Sequence, residues 1–106
     1  GPMLMVGLGG IHVEVMKDVA LAPVSLSKAD ALALIDRLKG RALLDAHRGA
    51  PAADIDALAD LMVRLGRFAA DHADTVAEVD LNPVFVHPAG QGTTIADALV
   101  VTRGTR

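Results

Sequence analysis

The stretch that most limits the fold is AEVDLNPVFVHP at residues 77–88, with the polar and apolar run that follows it. Apolar side chains alternate with polar ones before a proline, and HPAGQG then interrupts the run with turn-forming residues. This pattern predicts a strand from Thr75 to Val86, a turn from His87 to Gly92 and a last strand from Thr93 to Thr102. The chain is therefore expected to end in a β-hairpin.

The length of this turn fixes which residues of the two strands face each other. A turn at 87–92 places Val86 opposite Thr93, and counting back along both strands places Asn82 opposite Asp97. Facing residues of an antiparallel pair have Cβ atoms about 4.5–5.5 Å apart. An amide oxygen and a carboxylate at that spacing can share one Mg²⁺ ion, which prefers oxygen ligands. The register therefore predicts a metal half-site of Asn82 and Asp97.

Asp80 lies two residues before Asn82 and so on the same face of the predicted strand, as a third ligand or a supporting group. A second interpretation is that Glu78, Asp80 and Asn82 form the solvated face of a half-exposed sheet. Asp and Asn are depleted in strands, which favours the functional interpretation. A bulge at Pro83, which has no N–H to donate, would shift the register by one residue and separate Asn82 from Asp97.

The rest of the chain predicts an α+β domain. Ser27 is a good N-cap with Asp30 three residues on. Asp54 caps a long helix that runs to about Asp71, and its apolar residues recur at three and four positions as far as Phe68. Two more strands are predicted at Leu4–Val6 and Ile11–Met16, on either side of a glycine-rich corner. A short helix is predicted at Ala42–His47. We expect a single domain over residues 1–106, with a mixed or antiparallel sheet, two main helices and the terminal hairpin.

Composition excludes several classes of function. Aromatic residues make up 2% of the chain and the net charge is −3, so neither a base-stacking surface nor a phosphate-backbone footprint is expected. The chain has no cysteine, which excludes a disulfide, a thiol nucleophile and a zinc–thiolate site. The apolar runs are too short to span a membrane, and no signal peptide is visible. These features predict a cytoplasmic protein that binds neither nucleic acid nor membrane.

The glycine corner at residues 7–10 could hold a phosphate through its backbone N–H groups. It lacks the GxGxxG spacing and the Walker lysine, so a turn or bulge explains Gly9 and Gly10 as well. His12 and Glu14 share a strand face and could form an acid–base dyad, although a surface hydrogen bond is the simpler interpretation.

Two further groups have alternative explanations. Arg48, next to His47, could contact a phosphate or carboxylate, and a cationic helix C-terminus explains the pair equally well. No Ser is placed near a His and an Asp in a way that indicates nucleophilic hydrolysis.

Three segments together are similar to one known family. They are GPMLMVGLGGIHVEVMKDVALAPVSLS, LLDAHRGAPAADIDAL and AEVDLNPVFVHPAGQGTTIADALV, which cover most of the chain. This combination resembles the ATP-grasp domain of NDP-forming acyl-CoA synthetases, which are related to the succinyl-CoA synthetase β subunit. Two positions depart from the usual family pattern: His12 stands where Phe or Tyr is common, and Ala46 stands where Gly is usual.

The resemblance implies roles for individual residues. Asn82 and Asp97 match the residues that bind the Mg²⁺ accompanying the nucleotide phosphates. Asp80 matches the family's acidic position two residues before that Asn, and we expect it to assist catalysis. Gly9 and Gly10 match a glycine pair near the phosphates. The resemblance also suggests that Arg48 binds the cofactor, a role that the Ala46 departure weakens.

The resemblance further implies that the chain is the C-terminal half of an ATP-grasp domain. The remainder of the synthetase would supply the other nucleotide-binding half, the CoA-binding domain and the histidine that becomes phosphorylated. The whole enzyme would join a carboxylic acid to CoA with ATP and release ADP and phosphate. The implied route runs through an acyl phosphate and a phosphohistidine to the thioester, and the isolated chain is expected to be inactive.

Two other functions remain open at this point. In one, the chain is a regulatory synthetase-like domain of a protein acetyltransferase and binds a ligand without turnover. In the other, it is a non-catalytic structural α/β module, which would be favoured if Asn82 and Asp97 pointed to opposite faces. A homo-oligomer is also compatible with the sequence, because a partial domain exposes apolar surface.

Overall fold

The computed structural model describes residues 26–37 and 52–104, and the backbone of residues 3–8 and 19–23. Five strands and two helices are described, in the chain order β1 (Met3–Leu8), β2 (Val19–Pro23), α1 (Lys28–Asp36), α2 (Ile55–Asp71), β3 (Val76–Val86), β4 (Thr93–Ile95) and β5 (Ala98–Thr102). The predicted elements at 11–16 and 42–47 lie outside the described residues.

The five strands form one mixed sheet with β3 at its centre. The order is β2, β1, β3, β4, and β5 pairs with β3 further along the same side as β4. The β1–β3 pair is parallel and the other pairs are antiparallel. A parallel pair needs a long crossover, which here contains both helices. The predicted α+β class with a mixed sheet is confirmed.

Helix α1 begins as the sequence predicts. The Ser27 hydroxyl accepts from the Asp30 N–H, and the Asp30 carboxylate accepts from the Ser27 N–H, both at 3.1 Å. This reciprocal pair is the capping box, and it satisfies two amides that the first turn would otherwise leave unpaired.

Helix α2 runs from Ile55 to Asp71, as predicted, and packs one face onto the sheet. Phe68, predicted for the apolar face, is instead 42% exposed. The largest fully buried side chains come from both helices and from β3, and they are Ile35, Leu58, Met62, Val79, Leu81 and Val84. The helices therefore form one layer over the face of the sheet to which these β3 residues point.

The predicted last strand, Thr93 to Thr102, is wrong in one respect. It is divided into β4 and β5, with Ala96 and Asp97 outside regular strand. The break lies opposite Asn82 and Pro83 of β3. A proline has no N–H to donate, so the regular ladder cannot continue through this position.

The same position is irregular on the other side of β3. Val6 of β1 pairs with Leu81, whereas Leu8 pairs with Val84, so β3 carries one extra residue there. Buried positions change accordingly from Val79 and Leu81 before the bulge to Val84 after it. Bulges of this kind redirect side chains and are common beside functional sites. The Asn82–Pro83 peptide bond is cis.

Across the ranges described, no helix is both long and apolar enough to cross a lipid bilayer.

Candidate metal-binding site

The backbone brings Asn82 and Asp97 directly opposite each other. The Asn82 N–H donates to the Asp97 carbonyl at 3.0 Å, and the Ala96 N–H donates to the Pro83 carbonyl, also at 3.0 Å. A bulge does occur beside Pro83, but it lies between β3 and β1. It leaves the register toward β4 and β5 as the turn length predicts.

The ladders on either side of the break confirm this register. Val84 pairs with Ile95 in β4, and Leu81 pairs with Ala98 in β5. Two residues of β3 and two of the opposite segment lie between these pairs. Asn82 therefore faces Asp97 despite the interruption. Their metal role is a separate matter and stays a prediction.

The side chains of Asn82 and Asp97 are both exposed. Side chains of β3 point to opposite faces of the sheet in turn, and Leu81, next to Asn82, points into the core. Asn82 thus projects from the face of the sheet opposite the helices. Asp97 comes two residues before Leu99, which pairs with Asp80. The amide and carboxylate oxygens are open to a ligand on this part of the sheet.

Asp80 has an unusual environment for a carboxylate. Its side chain is half-buried, and its Oδ1 atom is fully buried without a hydrogen-bond partner among the described residues. Burying a charged oxygen without a donor or cation is costly, so buried oxygens of this type are nearly always satisfied. The Asp80 oxygen is therefore suited to a cation, or to a water held by a cation, two residues from Asn82.

The described residues contain no group of three His, Cys, Asp or Glu side chains that could hold a metal ion. Glu78 and Asp80 lie on one face of β3. The Asn82 amide, opposite Asp97, offers a further oxygen that is not a carboxylate. A small set of protein oxygens fits Mg²⁺, which keeps several waters and binds through one or two carboxylates together with substrate phosphates.

Asp54 connects helix α2 to the hairpin turn. Its Oδ1 caps the helix by accepting from the Ala57 N–H at 3.1 Å. Its Oδ2 accepts from Gly90 N–H at 3.0 Å and from Gly92 N–H at 2.9 Å. These bonds, of which that from Gly92 has the largest effect, hold the pKa of Asp54 below the ordinary value of an aspartate. We call this arrangement the Asp54 clasp.

Backbone bonds join the same two segments. The Asp54 N–H donates to the His87 carbonyl at 2.7 Å, and the Ala89 N–H donates to the Ala52 carbonyl at 2.9 Å. Ala53 and Pro88 form an antiparallel bridge between these bonds. The turn is therefore attached to the segment that leads into α2 through both backbone and side chain.

The sequence predicted Asp54 only as a helix cap. Its contact with the turn spans 36 and 38 residues, and local patterns carry no information on that separation. The one signal in the sequence was the pair of turn glycines, Gly90 and Gly92. In the structure their φ angles are 85° and 81°. His87, predicted as a turn residue, also contacts the hairpin, because its Nε2 lies 2.6 Å from Thr94 Oγ1.

The predicted site residues thus divide into two groups. The backbone places Asn82 opposite Asp97, and Asp80 lies two residues before Asn82 on β3. Gly9, Gly10 and Arg48, predicted to bind the nucleotide, lie outside the described residues, as do the alternative candidates His12, Glu14 and His47.

Comparison with known proteins identifies the fold family. The ATP-grasp domain family matches residues 1–102. The chain therefore belongs to the ATP-grasp domain family, in agreement with the resemblance seen in the sequence.

Individual relatives are more specific. The chain is 38% identical over 104 residues to the acetate–CoA ligase [ADP-forming] II subunit beta of Pyrococcus furiosus, covering 98% of this chain and 44% of that protein. It is 40% identical over 102 residues to the 4-hydroxybutyrate–CoA ligase [ADP-forming] of Nitrosopumilus maritimus, covering 94% of this chain and 14% of that protein.

A solved structure agrees with these matches. The dinucleotide-forming acetyl-coenzyme A synthetase 1 of Ca. Korarchaeum cryptofilum, in complex with coenzyme A and Mg-AMPPCP, superposes with a TM-score of 0.72 at 37% identity. The match covers 90% of this chain and 43% of that chain. The present chain thus spans less than half of the length of each of these proteins.

Proposed function

We propose that this chain is the C-terminal part of the ATP-grasp domain of an ADP-forming acyl-CoA synthetase. In this proposal it is a single domain over residues 1–106 and contributes the Mg²⁺–phosphate side of the nucleotide site. The reaction of the whole enzyme is carboxylate plus CoA plus ATP to acyl-CoA plus ADP plus phosphate.

The observation that carries the proposal is the alignment of Asn82 with Asp97 beside the unpartnered Asp80 oxygen. The donors are an amide oxygen and two carboxylates, which is the chemistry that Mg²⁺ prefers. Asn82 and Asp97 would hold the ion, and Asp80 would support it or complete its shell. A Mg²⁺-bound nucleotide analogue is named in the related Korarchaeum structure, which supports the same ligand here.

Electrostatic need explains why such a site suits this reaction. Phosphoryl transfer is catalysed mainly by positioning and by neutralising the charge on the phosphate oxygens. When bound, Mg²⁺ supplies that neutralisation. Asn82 would orient the ion from β3, whose buried side chains pack against the helices.

The partners follow from the lengths of the relatives. Since the chain spans 44% of one relative and 14% of another, the remaining protein would carry the rest of the nucleotide site together with the sites for CoA and the acid. Relatives named for acetate and for 4-hydroxybutyrate leave the acid itself open. A cytoplasmic location and a homo-oligomer remain predictions.

The test is acyl-CoA synthesis by the full-length protein, measured as ADP release that depends on both CoA and a panel of carboxylic acids. We expect turnover with wild type, and kcat/KM lower by at least about a hundredfold in Asp97→Asn and Asn82→Ala, as expected when several kcal/mol of charge stabilisation are lost. Asp60→Asn is the matched control, because Asp60 lies on α2, where it forms a 3.4 Å ion pair with Lys28.

Two results would contradict the proposal. One is acyl-CoA formation by the 106-residue chain alone, which would mean that no other domain is needed. The other is full activity in Asp97→Asn. Nucleotide binding without any acyl-CoA formation by the full-length protein would favour the regulatory function instead.

A further inference from the structure

Only three residue pairs, those of β3 with β4, separate the hairpin turn from the break at Ala96 and Asp97. Strand β4 has three residues, and the ladder stops at Ala96 and Asp97 before β5 begins. A three-residue strand has few ladder bonds with which to fix its own register. The turn leads into β4, and β4 leads into Ala96 and Asp97, so a contact that fixes the turn supports one end of the segment that carries Asp97.

The Asp54 clasp is the side-chain contact that holds the turn, beside the backbone bonds between residues 52–54 and 87–89. Both Gly90 and Gly92 have positive φ, and their N–H groups converge on the same Oδ2 atom of Asp54 at 3.0 and 2.9 Å. Two amides donating to one charged oxygen form charge-assisted bonds, which are stronger than neutral ones. The other oxygen of Asp54 caps α2, whose buried face packs on β3.

We infer that Asp54 is a positioning residue for the metal site: it fixes the hairpin turn to the start of α2 and, together with the ladders of β4 and β5, holds Asp97 opposite Asn82. This inference rests on the proposed function. It adds a residue outside the metal pair, whose side-chain hydrogen bonds go to the hairpin turn and to the first turn of α2.

The role of the clasp is separable from that of the helix cap by substitution. In Asp54→Asn the side chain keeps its size and remains a good N-cap, but an NH₂ group replaces one oxygen and cannot accept from the glycine amides. In Asp54→Ser the cap is also retained, while the side chain is too short to reach the turn. Ser27→Ala is the matched control, since it removes the cap of α1, whose two cap bonds join Ser27 and Asp30 to each other.

The experiment is calorimetric titration of a non-hydrolysable ATP analogue into the full-length protein, with and without Mg²⁺, together with the thermal midpoint of each variant. We expect Asp54→Asn and Asp54→Ser to weaken binding of the Mg²⁺-loaded analogue by about tenfold, the lower end of the loss seen when groups that orient metal ligands are removed. Binding of the metal-free analogue should be unchanged. Ser27→Ala should lower the midpoint and leave both affinities unchanged.

The inference is overturned if both Asp54 variants bind the Mg²⁺-loaded analogue as wild type does, or if metal-free binding falls equally. It is also overturned if Ser27→Ala weakens Mg²⁺-loaded binding as much, because general destabilisation would then account for the effect. Asp97→Asn, measured beside them, distinguishes the two hypotheses. If Asp97→Asn loses the Mg²⁺ dependence and the Asp54 variants keep it, only the role of Asp54 is wrong. If Asp97→Asn keeps it too, the proposed metal site itself is wrong.

Discussion

The Asn82 N–H donates to the Asp97 carbonyl at 3.0 Å across a point where the sheet is irregular on both sides. The bulge in β3 reverses the side-chain alternation after this point, and the break between β4 and β5 leaves Asp97 outside a regular strand. Both side chains are exposed as a result. The irregularity therefore places two oxygen-bearing groups at one position of the sheet without burying either.

The core contact between α2 and the sheet gives a direct stability prediction. Leu58 is fully buried, whereas Leu99 on β5 is 58% exposed. Leu58→Ala should lower the free energy of unfolding by about 2–5 kcal/mol, because it removes buried methyl groups and leaves a cavity. Urea denaturation measures the difference. Leu99→Ala is the same change on the surface and should stay within about 0.5 kcal/mol; equal losses would contradict the described packing.

The turn makes a second prediction through Gly92. Its φ angle is +81°, and a Cβ added there would meet no heavy atom within 4 Å. The cost of Gly92→Ala is thus conformational, and we expect about 1–2 kcal/mol of destabilisation. Gly104→Ala provides the control, because Gly104 also has open space but no positive φ. Thermal unfolding of the two variants should rank them in that order, and a neutral Gly92→Ala would argue against this turn conformation.

Asp54 predicts an acid-sensitive contribution to stability. Hydrogen bonds from Gly92, Ala57 and Gly90 lower its pKa from the ordinary value of 3.8. A lowered folded pKa stabilises the protein above the unfolded pKa, and this contribution is lost as the pH falls through the folded value. The difference in unfolding free energy between wild type and Asp54→Asn should therefore be constant above about pH 5 and shrink below the ordinary value.

Denaturation at several pH values between neutrality and strong acid measures this profile. Asp74→Asn, an exposed change of the same charge in the turn after α2, corrects for the lost charge itself. A wild-type advantage that grows toward acid, rather than shrinking, would mean that Asp54 does not accept these bonds as an anion.

Local features of the sequence predicted much of the fold. Ser27 with Asp30, and Asp54 with the apolar period of α2, marked both helices because capping and periodicity depend on residues three and four apart. The length of the turn fixed the register of Asn82 against Asp97 for a similar reason. Each of these signals lies within a few residues of the helix or turn that it predicts.

Contacts distant in sequence could not be predicted in the same way. The parallel pairing of β1 with β3 joins residues about 75 positions apart, as in Met5 with Asp80. No periodic signal connects such segments. The Asp54 clasp also joins residues far apart in the sequence, so it could not be predicted either. The division of the last strand also escaped prediction, because its cause is Pro83 on the neighbouring strand rather than a breaker within it.

The most direct test of the central claim is the position of the metal ion. Mn²⁺ takes the octahedral oxygen sites of Mg²⁺ and can be located by its anomalous scattering. Crystals of the full-length protein with Mn²⁺ and a non-hydrolysable ATP analogue should give one anomalous peak at about 2.0–2.3 Å from both the Asn82 side-chain oxygen and the Asp97 carboxylate. A metal held by the nucleotide and by other residues, with neither side chain in contact, would contradict the account.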